Sequence, residues 1–312
     1  MTTTGPTVLK RFAARLPREV DRRIRALSIA SLVGQIVLIG TGGAVRLTSS
    51  GLGCPTWPRC TAESLTTTAE MGLHGVIEFG NRLLTFALTA VALAMLVMLW
   101  NLRKERRDLF WLAVGLLASV PAQAIIGGIT VLTQLNPWVV GLHFLVSMAL
   151  VVLAMLLVNR AFGRTGRFMD RSYPALPSSA FPAAAATAVA AGAAVVLGVV
   201  VTGAGPHAGD ADAPRNGLDW DLFSHIHAVP AYLVAFGALF GIWVAVRYRA
   251  RGAYRNGGAA LLALTVAQTV LGITQYYTGI PPLLVGTHMV VAALLVAAAV
   301  NTADIARHSP RA

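Results

Sequence analysis

Three histidines stand where an imidazole is hard to explain by packing. His143, His227 and His288 each lie within a long apolar run, and an ionisable side chain at membrane depth is expensive and usually functional. Gln123 precedes His143 by the same interval that separates Gln268 from His288, and Gly127, Gly141, Gly272 and Gly286 keep matching places between them. Carrying the repeat to the remaining runs sets Asn81 opposite His227 and Glu78 opposite Ser224. Two neutral imidazoles facing each other across a helical bundle, His227 and His288, can supply the axial ligands of a haem iron, whose macrocycle suits an apolar cavity. A closed pair reads as electron transfer. His143 with Asn81 in place of its partner and an acid close by reads as a place where a substrate is altered. His74, Glu78, Asn81 and Arg82 fall at i, i+4, i+7 and i+8, so they share one helix face. Glu78 could orient water or take a proton; the plainer alternative is an i,i+4 pair with Arg82. His225 is about 200° round the helix from His227 and faces elsewhere, while His207 in a loop and His308 in the tail are expected in solvent without a role.

The elements that must position these residues are membrane helices. Hydrophobic residues make up 56% of 312 and charged residues 12%, too little polar surface for a soluble protein of this size. Apolar runs near the ~20 residues a bilayer requires predict eight helices, over 27–46, 72–100, 109–131, 139–159, 181–202, 222–246, 258–277 and 283–303. The net charge of +12 is topological. Basic clusters at 10–25, 103–107, 160–171, 247–255 and 307–311, Lys10, Arg11, Arg167 and Arg171 among them, hold 21 of the 25 Lys and Arg residues, all on one side of an eight-helix arrangement. The positive-inside rule makes that side cytoplasmic, with both termini inside; no groove-reading or base-stacking element points to nucleic acid. The first run is read as a retained anchor rather than a cleaved signal.

With four helices in each half, the two halves run the same way through the membrane, as parallel repeats. The expected organisation is a basic N-terminus (1–26), an N-terminal four-helix bundle (27–160), a cytoplasmic linker (161–180), a C-terminal four-helix bundle (181–303) and a cytoplasmic tail (304–312). Cys54 and Cys60 lie together in the first outer loop, "GLGCPTWPRC". The prolines between them favour a turn, and the compartment permits a disulfide that is either structural or cycled by redox partners.

The segments "GGAVRLTSSGLGCPTWPRC" (42–60), "EFGNRLL" (78–84), "GLHF" (141–144), "IHAVPAYL" (226–233) and "GTHM" (286–289) together resemble the haem A synthase family, over essentially the whole chain. The resemblance implies a bacterial cell-membrane enzyme that oxidises a methyl group of haem O to the formyl group of haem A for cytochrome oxidase. It implies haem b as cofactor on His227 and His288, His143 as ligand of the substrate haem iron, Glu78 as the required acid, and Cys54 with Cys60 as the outer cysteine pair. Arg46 and Arg82 become candidate propionate partners, with Asn81 and His74 as pocket contacts. Haem O synthase and cytochrome oxidase assembly factors are the implied partners, besides membrane lipid and an unidentified electron donor or acceptor. The family often has a histidine where this chain has Asn81. The substrate iron is then either five-coordinate on His143 or drawn to His74, and the two turns between His74 and Asn81, about 10 Å, favour the first. Two readings from other classes remain: a di-haem cytochrome b that relays electrons without catalysis, and a transporter built on the same kind of repeat.

Overall fold

Each of the eight apolar runs folds as one long helix. The computed structural model describes residues 14–166 and 175–312; the expected basic residues Lys10, Arg11, Arg167 and Arg171 lie outside them. The helices are α1 (Arg22–Leu47), α2 (Gly72–Met98), α3 (Arg107–Leu132), α4 (Pro137–Ala161), α5 (Ala180–Ala204), α6 (Trp220–Arg247), α7 (Ala253–Tyr277) and α8 (Pro282–His308). All eight are long and apolar enough to cross a membrane, and the protein is a multi-pass, all-α membrane protein.

All the helices but α2, which stops at Met98 rather than 100, outrun the apolar runs, most of all at the basic end. α7 begins at Ala253 rather than 258, and α8 continues to His308 rather than 303. A backbone ladder already formed continues past the apolar core, because long basic side chains can lay their stems on apolar surface and keep the charge in water. α1 likewise begins at Arg22, where the Asp21 carboxylate accepts the Arg23 and Ile24 amides at 2.9 and 3.1 Å, a side-chain cap for donors the helix leaves unpaired. The tail is not loose: Leu176 donates to the Pro310 carbonyl at 2.8 Å and Ala312 donates to that of Leu176 at 2.9 Å.

At the opposite end, α3 turns into α4 as α7 turns into α8. Leu135 and Ile280 both have positive φ, 58° and 59°, and each donates its amide at 2.8 Å to a carbonyl five residues back, Thr130 and Gln275. The same turn and the same hydrogen-bond register therefore recur 145 residues apart, and Pro137 and Pro282 open the following helices, where a missing N–H costs nothing.

Packing follows the order α1, α2, α3, α4 and back to α1, and separately α5, α6, α7, α8 and back to α5. Among the described residues neither ring has a Cα–Cα approach within 8 Å across its diagonals, so side chains rather than backbones meet across each axis. The rings meet along α1 and α4 on one side and α5 and α8 on the other. Ile39, Met148, Val151, Met155, Val158, Ala293 and Ala297 fill that seam.

Candidate functional site

In the second ring, His227 on α6 and His288 on α8 face each other with ring centroids 6.3 Å apart and planes at 55°. Each ring lies against a glycine of the next helix: a Cβ at Gly198 on α5 would stand 3.1 Å from His227 Cε1, and one at Gly272 on α7 3.4 Å from His288 Cε1. The Gln268 amide donates to the His288 carbonyl at 3.1 Å. With a metal–imidazole bond of about 2 Å, a ring centroid stands roughly 3 Å from the metal, so two rings sharing one ion need centroids on the order of 6 Å apart. The observed separation fits. Among the described residues no three His, Cys, Asp or Glu side chains converge on a metal position, so two imidazoles here suit an ion that brings its other donors with it, as the porphyrin nitrogens of haem do.

In the first ring, His143 on α4 has the same surroundings. Its Cε1 would be 3.3 Å from a Cβ at Gly127 on α3, and Gln123 reaches its carbonyl at 3.4 Å while bonding Ser147 Oγ at 2.7 Å. His143 and His288 are half-buried and bury Nδ1 without a hydrogen-bond partner; such atoms in a native interior call for a functional explanation. Asn81 on α2 is half-buried and accepts the Thr41 hydroxyl of α1 on Oδ1 at 2.7 Å.

Glu78 lies one turn from Asn81, only 6% exposed, with both carboxylate oxygens engaged. Oε1 accepts Arg82 Nη2 and Oε2 accepts the Cys54 amide, each at 2.5 Å. Arg82 also donates to the Cys54 and Thr56 carbonyls at 3.3 Å. Cys54 and Cys60 form a disulfide with Cα atoms 4.4 Å apart, and both are fully buried. Trp57, between them, lies so tightly on α3 that a Cβ at Gly128 would clash with its ring. The loop of residues 48–71 is thus a cover over the end of the first ring, latched to α2 by the Glu78–Arg82 pair and seated on α3 by Trp57. The i,i+4 pairing of Glu78 and Arg82 and a loop-holding role for the acid are both present.

The remaining expected residues are dispersed. His74 is exposed and its Nδ1 bonds Ser50 Oγ at 2.9 Å, so it serves the cover loop. Arg46 donates to the His207 and Thr202 carbonyls at 2.6 and 2.9 Å, joining the end of α1 to the segment that follows α5. His207 is not the solvated histidine expected, because it is half-buried and its Nε2 pairs with the Ile280 carbonyl at 2.8 Å. His308 closes α8 with Nδ1 2.8 Å from the Asp304 carbonyl, again not free in solvent. His225 is exposed, beside Asp221 and edge-on to Tyr276, facing away from the pair as its spacing required. Sequence reasoning gave no role to Thr41, Trp57, Gly198 or the Gln–Gly spacers. The repeat marks Gln123 with Gln268 and Gly127 with Gly272, and the likeness of "IGTGGAVR" (39–46) to "VVTGAGPH" (200–207) sets Thr41 with Thr202; that correspondence was the available signal.

Residues 25–300 match the family described as cytochrome oxidase assembly protein. A heme A synthase of Listeria welshimeri is 24% identical over 286 residues, 88% of this chain and 92% of that protein. One of Bacillus pumilus is 36% identical over 144 residues, 44% of this chain, and one of Lysinibacillus sphaericus 29% identical over 158 residues, 48% of this chain. In these last two matches the chain spans about half of the relative's length, 46% and 51%.

Proposed function

This chain belongs to the cytochrome oxidase assembly protein family, and on that premise we propose that it is a haem A synthase, oxidising a methyl group of haem O to the formyl group of haem A. The observation that carries the reading is the His227–His288 pair at 6.3 Å, beside a second ring that repeats one half of it at His143 and replaces the other half with Asn81. His227 and His288 would hold haem b, which when bound supplies one-electron transfer. His143 would hold the iron of the substrate, haem O. Each of two successive oxidations would take one oxygen from water and give up two electrons and two protons to an external acceptor, converting the methyl to an alcohol and then to a hydrated aldehyde that loses water.

The chain's own residues contribute position and charge. Gly127, Gly198 and Gly272 let the Cε1 corner of each imidazole approach the neighbouring helix without a side chain between them. Glu78 places a carboxylate near the covered end of the first ring, where it can orient water or accept a proton, and its latch to Cys54 and Arg82 holds the cover that excludes bulk water. The 48–71 loop lies outside the membrane and both termini are cytoplasmic, as the charge bias supports; the halves are parallel repeats, which the recurring turns support.

Extraction and mass analysis of the haem in the purified protein tests the reading. Haem b together with haem O or haem A is the expected result. Haem b alone would replace it with an electron relay, and a protein without haem would remove both.

A further inference from the structure

Resting on the assignment of substrate haem to the first ring, we infer that its iron takes one protein ligand, His143, and keeps an open sixth position at which Asn81 offers an amide N–H to a small ligand bearing an acceptor atom. In the sequence repeat Asn81 on α2 stands opposite His227 on α6. His227 presents an imidazole to its partner across 6.3 Å. Asn81 has no equivalent to offer. Its Oδ1 accepts the Thr41 hydroxyl at 2.7 Å, and a carbonyl oxygen suits hard cations where an imidazole suits iron. What remains is Nδ2, a donor of two hydrogens and no acceptor, which has no hydrogen-bond partner among the described residues.

The threonine contact belongs to this ring alone. Thr202, which occupies Thr41's place in the second half, turns its hydroxyl back to the Gly198 carbonyl of its own helix at 2.6 Å and leaves His227 untouched. The first ring therefore uses a threonine to hold the amide by its oxygen, leaving the N–H groups without a partner among the described residues. The second keeps a plain imidazole pair. Donors and steric access on the far side of a haem separate ligand binding from electron transfer, so the chain has one closed and one open site. The ligand class is a small molecule or ion that binds iron through one atom and accepts a hydrogen bond, water or a diatomic gas rather than a bulky base.

The full-length protein, purified and supplemented with iron protoporphyrin to fill both sites, distinguishes the outcomes, with carbon monoxide as the probe. The wild type should show a high-spin ferric signal beside the low-spin signal of the His227–His288 site, and on reduction one of its two haem populations should bind carbon monoxide. Asn81→His should convert the high-spin signal to low-spin and abolish carbon monoxide binding. Asn81→Ala should still bind it, with the C–O stretch moved to higher frequency as the N–H contact is lost, and Thr41→Val should move it the same way by less. Two low-spin haems and no carbon monoxide binding in the wild type would overturn the open position while leaving the proposed function intact. An unchanged C–O stretch in Asn81→Ala would overturn the amide's role. His143→Ala guards the premise: carbon monoxide binding that survives it would show the first-ring assignment itself to be wrong, and the inference with it.

Discussion

Glu78 holds the cover loop through the Cys54 amide and Arg82, and its neighbours separate that job from the catalytic one proposed for the same carboxylate. Arg82, with its side chain 23% exposed, reaches water and two loop carbonyls besides the carboxylate. Glu78 is buried and depends on Arg82 and one amide. Removing Arg82 therefore strands a buried anion, whereas Glu78→Gln keeps an acceptor for the Cys54 amide and leaves a cation with other partners. Stranding one member of a fully buried pair costs about 3–5 kcal/mol, and the partial exposure of Arg82 reduces this to roughly 2 kcal/mol for Arg82→Ala. Glu78→Gln should cost less, about 1 kcal/mol. Thermal unfolding of the two variants should rank them in that order. The catalytic role predicts a further difference: Glu78→Gln should lose conversion of haem O to haem A while retaining the wild-type content of haem b. Preserved conversion would leave Glu78 as a latch only.

At the scale of the helix, three glycines set how closely a histidine ring lies to the next element, and their distances rank the substitutions. A Cβ at Gly272 meets His288 at 3.4 Å, an ordinary contact, but one at Gly198 meets His227 at 3.1 Å, close enough that the ring must shift. Gly272→Ala should retain the low-spin haem signal, and the helix should gain up to about 1 kcal/mol in propensity. Gly198→Val adds two more methyl groups on the side of the ring and should abolish that signal without unfolding the protein. Absorbance and electron paramagnetic resonance of the purified variants, with circular dichroism for the helices, check both statements. These spacings were half legible in the sequence. The eight helices and the Gln–Gly–His frame could be read because hydropathy and a fixed interval are local signals. Asn81 stood out as the break in a repeat. Nothing local told that Thr41 reaches Asn81, that Trp57 presses on Gly128, or that Arg46 and His207 meet, because each contact joins residues whose approach depends on how separate helices pack.

Over the whole molecule the seam between the rings is pinned at both ends by polar groups at or beyond the expected helix ends. At the disulfide end, Arg46 grips the carbonyls of Thr202 and His207. At the basic end, Asp304, expected in the cytoplasmic tail, is 8% exposed on α8. Its carboxylate takes Arg160 of α4 in a two-pronged pair at 2.7 and 3.2 Å, together with Asn159 at 3.0 Å and Thr165 at 2.8 Å. Arg160 also bonds Thr165, and its own carbonyl receives Arg106 at 2.9 Å. A buried pair of this kind adds little net stability over apolar residues of the same shape, yet breaking it from one side is costly. Asp304→Ala should therefore destabilise the protein by about 3–5 kcal/mol, because Arg160 keeps its charge in a site with little water. Asp304→Leu combined with Arg160→Met should recover most of that loss, and the pair should be strongly non-additive in a double-mutant cycle. Thermal unfolding followed through the haem absorbance measures the cycle. If the two single losses simply add, the network is not the pin that joins the halves, and the apolar seam between α1, α4, α5 and α8 holds them without it.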